Sequence, residues 1–120
     1  MLRVAVAEDN PKDLERILGF LKRYGEDRNV QIKVSEYVDG SELLEQYRPC
    51  YDVVFLDIEM PQLNGMKTAE KIRETDEEVI LIFITNMAKY AIRGYRVQAL
   101  DYVLKPMKYE AFVVKMDKVK

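Results

Sequence analysis

Hydrophobic and polar positions along the chain switch repeatedly between strand-like and helix-like spacing. The short apolar runs predict five strands, at residues 4–7, 32–37, 53–56, 79–84 and 101–104. Between the first two runs, apolar residues recur at helical spacing at Leu14, Ile17, Leu18 and Leu21. Strands that alternate with helices predict an α/β fold with a parallel sheet. Because the strands are almost continuously apolar, we expect helices to cover both faces of that sheet.

Five helices are predicted between and after the strands. The first begins at Pro11, which suits the first turn of a helix, and Asn10 is placed to cap it. The fourth is predicted over residues 87–95. The apolar residues of the others are Leu43, Leu44 and Tyr47 in the second, Met66, Ala69 and Ile72 in the third, and Tyr109, Phe112, Val113 and Met116 in the fifth.

Composition narrows the function classes. The chain has 120 residues, 48% of them hydrophobic and 33% charged, which fits one domain with its own core. A net charge of -2 argues against direct binding of nucleic acid by this segment, because duplex DNA requires a broad cationic surface. No segment approaches the roughly 20 apolar residues of a membrane span. Cys50 is the single cysteine, so we expect a cytoplasmic protein without disulfides.

Charged and polar side chains follow four of the predicted strands. They are Glu8 and Asp9 after the first, Asp57 and then Glu59 after the third, Thr85 at the end of the fourth, and Lys105 after the fifth. Ligands of an open parallel sheet bind beyond the carboxyl ends of its strands. Carboxylates gathered there repel one another unless a cation is present. Histidine is absent, and oxygen ligands without histidine or cysteine favour Mg²⁺ or Mn²⁺.

The same residues fit phosphoryl transfer. A divalent ion, a hydroxyl and an ammonium are what the oxygens of a transferring phosphoryl group require. The carboxylate of Asp57 can then act as the nucleophile and form an acyl phosphate.

Four motifs, in this order, resemble the response-regulator receiver domain. They are Glu8-Asp9, Phe55-Leu56-Asp57-Ile58-Glu59-Met60-Pro61 with Gly65 shortly after, Ile84-Thr85, and Tyr102-Val103-Leu104-Lys105-Pro106. The resemblance covers residues 1–120 and implies a flavodoxin-like, doubly wound fold with strand order 2-1-3-4-5. It implies a signalling switch that catalyses only its own phosphorylation and dephosphorylation, rather than an enzyme with a separate substrate.

The resemblance also implies roles at the metal and at the phosphoacceptor. Asp57 would accept a phosphoryl group from a sensor histidine kinase. Asp9, Asp57 and the backbone carbonyl of Glu59 would bind Mg²⁺ directly, with Glu8 acting through a water molecule.

Three further residues would respond to the phosphoryl group. Thr85 and Lys105 would contact its oxygens, and Tyr102 occupies the position of the family's switch aromatic. In the resemblance the Lys105–Pro106 peptide bond is cis. Movement of Thr85 would let Tyr102 turn and change the face formed by the fourth predicted helix, the fifth strand and the fifth predicted helix.

The segment from Tyr90 to Tyr102 is similar to receivers coupled to a LytTR-type DNA-binding domain. We therefore expect an output domain after Lys120, controlled by the receiver, and transcription regulation as its role. A homodimer formed on phosphorylation is a further partner that the resemblance allows.

Two other functions remain open at this stage. One is a phosphohydrolase with an aspartyl-phosphate intermediate, in which Glu59 would stand where such enzymes usually place a second Asp; turnover of small phosphate esters would favour it. The other is an interaction module that keeps the fold but works without phosphorylation. Failure to bind Mg²⁺ or beryllofluoride would favour that second alternative.

Met87 generates the first testable prediction. By the resemblance it lies beside the exposed side of the phosphoryl group, where its thioether is a poor group for orienting an attacking water. We expect Met87→Asn to shorten the lifetime of the aspartyl phosphate, measured as loss of radiolabelled phosphate from the protein. A longer lifetime in the variant would contradict the prediction.

Overall fold

A computed structural model of the chain describes residues 1–58, 64–86 and 101–119, with the backbone alone described at Asp101. The strands in these ranges are β1 (Leu2–Ala7), β2 (Ile32–Tyr37), β3 (Val53–Leu56), β4 (Ile80–Thr85) and β5 (Asp101–Leu104). The helices in the same ranges are α1 (Pro11–Arg28), α2 (Gly40–Glu45), α3 (Gly65–Thr75) and α4 (Tyr109–Asp117). None of these described helices is long and apolar enough to cross a bilayer.

The strands form one sheet in the order β2-β1-β3-β4-β5, and every neighbouring pair is parallel. This confirms the predicted fold class and strand order. The central pairs are aligned so that Leu56 is the register partner of Phe83, and Thr85 is the partner of Leu104. The carboxyl ends of β3, β4 and β5 therefore lie at the same edge of the sheet.

Successive strand residues point to opposite faces of the sheet, and both faces are buried. One core contains Ala5 and Ala7 with residues of α2 and α3, and the other contains Val4 and Val6 with residues of α1 and α4. The first core comprises Ala5, Ala7, Tyr37, Leu43, Val54, Leu56, Ile58, Met66, Ala69, Ile72, Val79, Leu81 and Phe83. The second comprises Val4, Val6, Ile17, Leu21, Tyr24, Val53, Phe55, Ile82, Ile84, Met107, Phe112 and Met116. Burial on both faces explains why β3, β4 and the part of β1 from Val4 onward lack polar alternation.

The start of α1 confirms the predicted cap. Asn10 Oδ1 accepts hydrogen bonds from the N–H groups of Lys12 and Asp13 at 3.0 and 3.2 Å, and Pro11 occupies the first helical position. These bonds satisfy two backbone donors that the first turn of a helix leaves without an intrahelical partner. The first turn of α1, which carries Asp13, is consequently held in one position beside the end of β1.

Three boundaries differ from the sequence-based prediction. β1 begins at Leu2 rather than Val4, because Leu2 pairs with Ile32 of β2. β4 begins at Ile80, one residue after the predicted start, and α2 ends at Glu45, so that Tyr47 lies beyond it. The helix predicted over residues 87–95 lies outside the described residues.

Tyr47 instead stabilises the end of α3. Its hydroxyl donates to Asp76 Oδ2 at 2.6 Å, while Asp76 Oδ1 accepts from the N–H groups of Glu78 and Val79 at 3.1 Å each. Burial alone would raise the pKa of Asp76, but these hydrogen bonds outweigh it and hold the pKa below its usual value. The carboxylate of Asp76 therefore joins α3, the residues before β4 and the chain after α2.

We predict that Asp76→Asn lowers the free energy of unfolding at pH 7 by about 1–3 kcal/mol, the range for hydrogen bonds to a charged group. The folded-state pKa lies below the unfolded value of about 4, so this carboxylate stabilises the fold fully above that pH. Its contribution is lost as the pH falls through the folded-state pKa. Urea unfolding followed by circular dichroism, at pH 7 and in steps below about pH 4, measures both effects.

Glu77→Gln is the matched control, because it removes the same charge from the exposed neighbouring residue. Its free energy of unfolding should stay within about 0.5 kcal/mol of the parent value. A deficit in Asp76→Asn that remains constant as the pH falls would show that the charge of Asp76 does not stabilise the fold.

Candidate functional site

Backbone hydrogen bonds fix three residues just beyond the carboxyl ends of the strands. Glu8 N–H donates to Tyr37 O at 2.9 Å, and Asp57 N–H donates to Ala7 O at 3.1 Å. Lys105 N–H donates to Thr85 O at 2.9 Å. Each bond continues the ladder between parallel strands, so Glu8, Asp57 and Lys105 are placed by the sheet rather than by mobile loops.

A cluster of three carboxylates lies at this edge. Glu8, Asp9 and Asp57 each offer one oxygen, and these oxygens lie within 4.8 Å of one another. Glu8 and Asp57 are buried, with exposures of 1% and 6%, whereas Asp9 is exposed. The cluster is open to solvent on the side of Asp9, which gives an ion a route into it.

The ammonium of Lys105 stands among the carboxylates. Its Nζ lies 2.8 Å from Glu8 Oε1, 3.0 Å from Asp57 Oδ2 and 2.7 Å from Asp13 Oδ2. The Lys105 side chain is 9% exposed, so these pairs are largely protected from solvent screening. The ammonium donates hydrogen bonds to Asp13 Oδ2 and Asp57 Oδ2, whereas the buried Glu8 Oε1 pairs with it by charge without an aligned hydrogen bond.

Burial and charge shift the pKa values of the site in opposite directions. Burial raises the pKa of Glu8 to about 7; Asp57 adds to the rise, and contacts with Lys105 and Asn10 N–H oppose it. Burial would lower the pKa of Lys105, but its contacts with the carboxylates outweigh burial and raise the pKa above its usual value. The ammonium is therefore retained at neutral pH, and it compensates only part of the negative charge around it.

The donor set fits a hard divalent cation. Glu8, Asp9 and Asp57 supply only carboxylate oxygens, which Mg²⁺ and Mn²⁺ prefer. Their oxygens are close enough to be shared by one ion, and the buried Glu8 Oε1 has no hydrogen-bond partner of its own.

Thr85 lies at this edge of the sheet, and Tyr102 lies on β5, three residues before Lys105. Thr85 is fully buried at the end of β4. Tyr102 is half-buried on β5, packs against the first core, and its ring centroid lies 5.7 Å from that of Phe83. The Lys105–Pro106 peptide bond is cis, as the resemblance implied.

Helix α3 begins in close contact with the backbone of Asp57. Gly65 N–H donates to Ile58 O at 2.9 Å, and Asn64 Oδ1 caps the helix by accepting from Lys67 N–H at 2.9 Å. A Cβ atom on Gly65 would overlap the carbonyl oxygen of Asp57 and lie 2.8 Å from its carbonyl carbon. Glycine is therefore required here by the close approach of two backbones.

The structure brings Glu8, Asp9, Asp57 and Lys105 together, and it places Thr85 at the same edge. Glu59 and Met87, for which the sequence also predicted roles, lie outside the described residues. The sequence-based reasoning missed one further residue, the Asp13 carboxylate that contacts Lys105.

The fold and the site together define a flavodoxin-like α/β domain with a carboxylate-rich site at the carboxyl edge of its sheet. The response regulator receiver domain family matches residues 4–117, and the chain belongs to this family. It is a receiver domain of a two-component response regulator.

Two curated relatives extend this result. Sensory transduction protein LytT of Oceanobacillus iheyensis is 33% identical, over 99% of this chain and 48% of that protein. Transcriptional regulatory protein BtsR of Escherichia coli K12 is 31% identical, over 89% of this chain and 43% of that protein. The similarity to LytT confirms the resemblance to receivers of LytTR-type regulators. The chain spans about half the length of these relatives.

A solved structure also matches over the full length. Response regulator protein TrrA of Thermotoga maritima, in complex with Mg²⁺ and beryllium fluoride, has a TM-score of 0.83 and 26% identity. The match covers 100% of both chains.

We predict that Gly65→Ala lowers the free energy of unfolding by about 1–3 kcal/mol, the usual cost of overpacking. The added Cβ meets backbone atoms, which cannot rotate away as a side chain can. Urea unfolding measures the loss, and the amide NMR signals of Asp57 and Ile58 should shift.

Gly19→Ala is the control for this substitution. Gly19 lies within α1, and nothing is within 4 Å of the position that its Cβ would take. Alanine there should stabilise the protein by about 0.5–1 kcal/mol. A Gly65→Ala variant as stable as Gly19→Ala would contradict the proposed backbone contact.

Proposed function

We propose that residues 1–120 form the phosphorylatable receiver of a longer response regulator, with Asp57 as the phosphoacceptor. One observation carries the proposal: Asp57 Oδ2 lies 3.0 Å from the ammonium of Lys105 and beside the carboxylates of Glu8 and Asp9. A nucleophilic carboxylate, a cation-binding cluster and a fixed positive charge are the requirements of phosphoryl transfer to an aspartate.

Mg²⁺ is the metal that we propose for this cluster, with Mn²⁺ as a substitute. Asp9 and Asp57 would bind it directly and Glu8 through a water molecule; the backbone carbonyl of Glu59 is the remaining proposed ligand. The bound ion would supply positive charge at the oxygens of the transferring phosphoryl group. TrrA, which shares the fold, has been solved with Mg²⁺ and beryllium fluoride, and this supports the assignment.

The residues of the chain have separate tasks in the proposed reaction. An oxygen of Asp57 forms a bond to phosphorus, while the bond from phosphorus to the nitrogen of a donor phosphohistidine breaks and the imidazole leaves. Lys105 and Thr85 contact the phosphoryl oxygens that do not react, and Lys105 compensates part of their negative charge. Burial of Asp57 limits the access of water to the acyl phosphate.

The switch would begin at Thr85 and reach the surface at β5. Movement of Thr85 toward a phosphoryl group on Asp57 would release space for Tyr102, which packs against Phe83 of β4. Leu104 on β5 and Val114 on α4 are 50% and 56% exposed, and they would offer apolar contacts to a partner. We propose that this surface changes its partner preference, including that for a second copy of the chain.

The proposed partners are a sensor histidine kinase, which donates the phosphoryl group, and a LytTR-type DNA-binding output domain. LytT and BtsR extend well beyond the matched segment, and BtsR is a transcriptional regulatory protein, which supports an output of this kind. We propose a cytoplasmic location, in keeping with the single, exposed Cys50.

We predict that beryllofluoride binds with a stoichiometry of one in the presence of Mg²⁺ and shifts the amide signals of Thr85 and Tyr102. Asp57→Asn should abolish both effects, because its amide is a poor ligand for beryllium. Glu70→Gln, an exposed carboxylate change on α3, should leave both intact. Calorimetric titration and amide NMR provide the measurements.

The alternatives give different results in this experiment and in an assay with a small phosphate ester. A shift that persists in Asp57→Asn would exclude Asp57 as the phosphoacceptor. Absence of binding to the parent chain would favour an interaction module that works without phosphorylation. Repeated turnover of a small phosphate ester would favour a phosphohydrolase.

A further inference from the structure

Asp13 contacts the site from α1 without belonging to the carboxylate cluster. Its Oδ2 lies 2.7 Å from Lys105 Nζ, the shortest of the three ion pairs of that ammonium. Among the described residues, the carboxylates that converge within 4.8 Å are those of Glu8, Asp9 and Asp57, and Asp13 is not one of them. The contact of Asp13 with the site therefore runs through Lys105.

The position of Asp13 is fixed by the start of α1. Its N–H donates to the capping oxygen of Asn10 at 3.2 Å, and one turn later Arg16 Nε donates to Met107 O at 3.1 Å. Met107 lies two residues after Lys105, so α1 holds the segment after β5 at two points. The backbone of Asp13 is therefore fixed relative to the segment that carries Lys105.

We propose that Asp13 is a positioning residue that holds the Lys105 ammonium toward α1 and thereby weakens the hold of the site on a phosphoryl anion. This inference rests on the proposed function of Asp57.

Charge competition gives the direction of the effect. A phosphoryl group on Asp57 must share the Lys105 ammonium with Asp13, so part of that positive charge is not available to the anion. The side chain of Asp13 is 32% exposed, compared with 1% for Glu8 and 7% for Asp57, so solvent weakens the competition of Asp13 for the ammonium. The effect should therefore be moderate, of the size of a partly exposed ion pair.

The test is calorimetric titration of the chain with beryllofluoride in Mg²⁺. Asp13→Asn should tighten binding by roughly three- to tenfold, the range expected for a partly exposed to half-buried charge pair. The cap is retained in this variant because Asn10 binds the backbone N–H of residue 13. Asp13→Glu should restore an affinity close to that of the parent. Glu15→Gln, an exposed charge removal on the same helix, should leave the affinity unchanged.

A double-mutant cycle separates an action through Lys105 from a general electrostatic effect. In a Lys105→Gln background, addition of Asp13→Asn should not tighten binding, whether the affinity there is weak or below detection. Tightening in that background, or equal tightening in Glu15→Gln, would overturn the inference. Unchanged or weaker binding in Asp13→Asn would overturn it while the proposed function stands. A parent chain that does not bind beryllofluoride would overturn both.

Discussion

The contact of the Lys105 ammonium with Glu8, Asp13 and Asp57 joins the parts of this domain that carry its chemistry. Lys105 follows β5, Asp57 follows β3, Glu8 follows β1, and Asp13 lies on α1. Without a cation among them, these buried and half-buried carboxylates would repel one another at considerable cost. The lysine therefore allows the sheet to place acidic residues side by side, but its single charge leaves the group negative.

That arrangement depends on a sheet buried on both faces. Helices α1 and α4 cover one face while α2 and α3 cover the other, so polar groups in the strands would be costly. The chemistry is consequently restricted to the edge where the strands end and backbone hydrogen bonds fix the next residue. Gly65 shows how tightly this edge is built, since helix α3 begins against the carbonyl group of Asp57 without room for one methyl group.

Where the signal is local, the sequence predicted the fold well, and it also singled out residues that the structure brings together at one edge of the sheet. β2, β3 and β5 have the predicted boundaries. The apolar runs of β3 and β5 stop at the charged residues Asp57 and Lys105. β1 was predicted two residues short because Leu2 joins it by pairing with Ile32, which no local pattern reveals. Asp13 was missed for the same reason: its contact with Lys105 spans 92 positions. Its place in the first turn of α1, four residues after Asp9, was the one available signal.

The remaining negative charge has a consequence for binding. In the proposed function, a cation in the carboxylate cluster and an anion on Asp57 each reduce the cost of binding the other, because they are close together in a poorly screened site. Linkage requires the coupling to be reciprocal, so a phosphoryl group would raise the affinity for the cation by the same factor as the cation raises that for the anion. Asp13 lowers the positive charge that Lys105 offers to the anion. The balance between Asp13 and the cation would therefore set how much of the phosphorylated state requires bound metal.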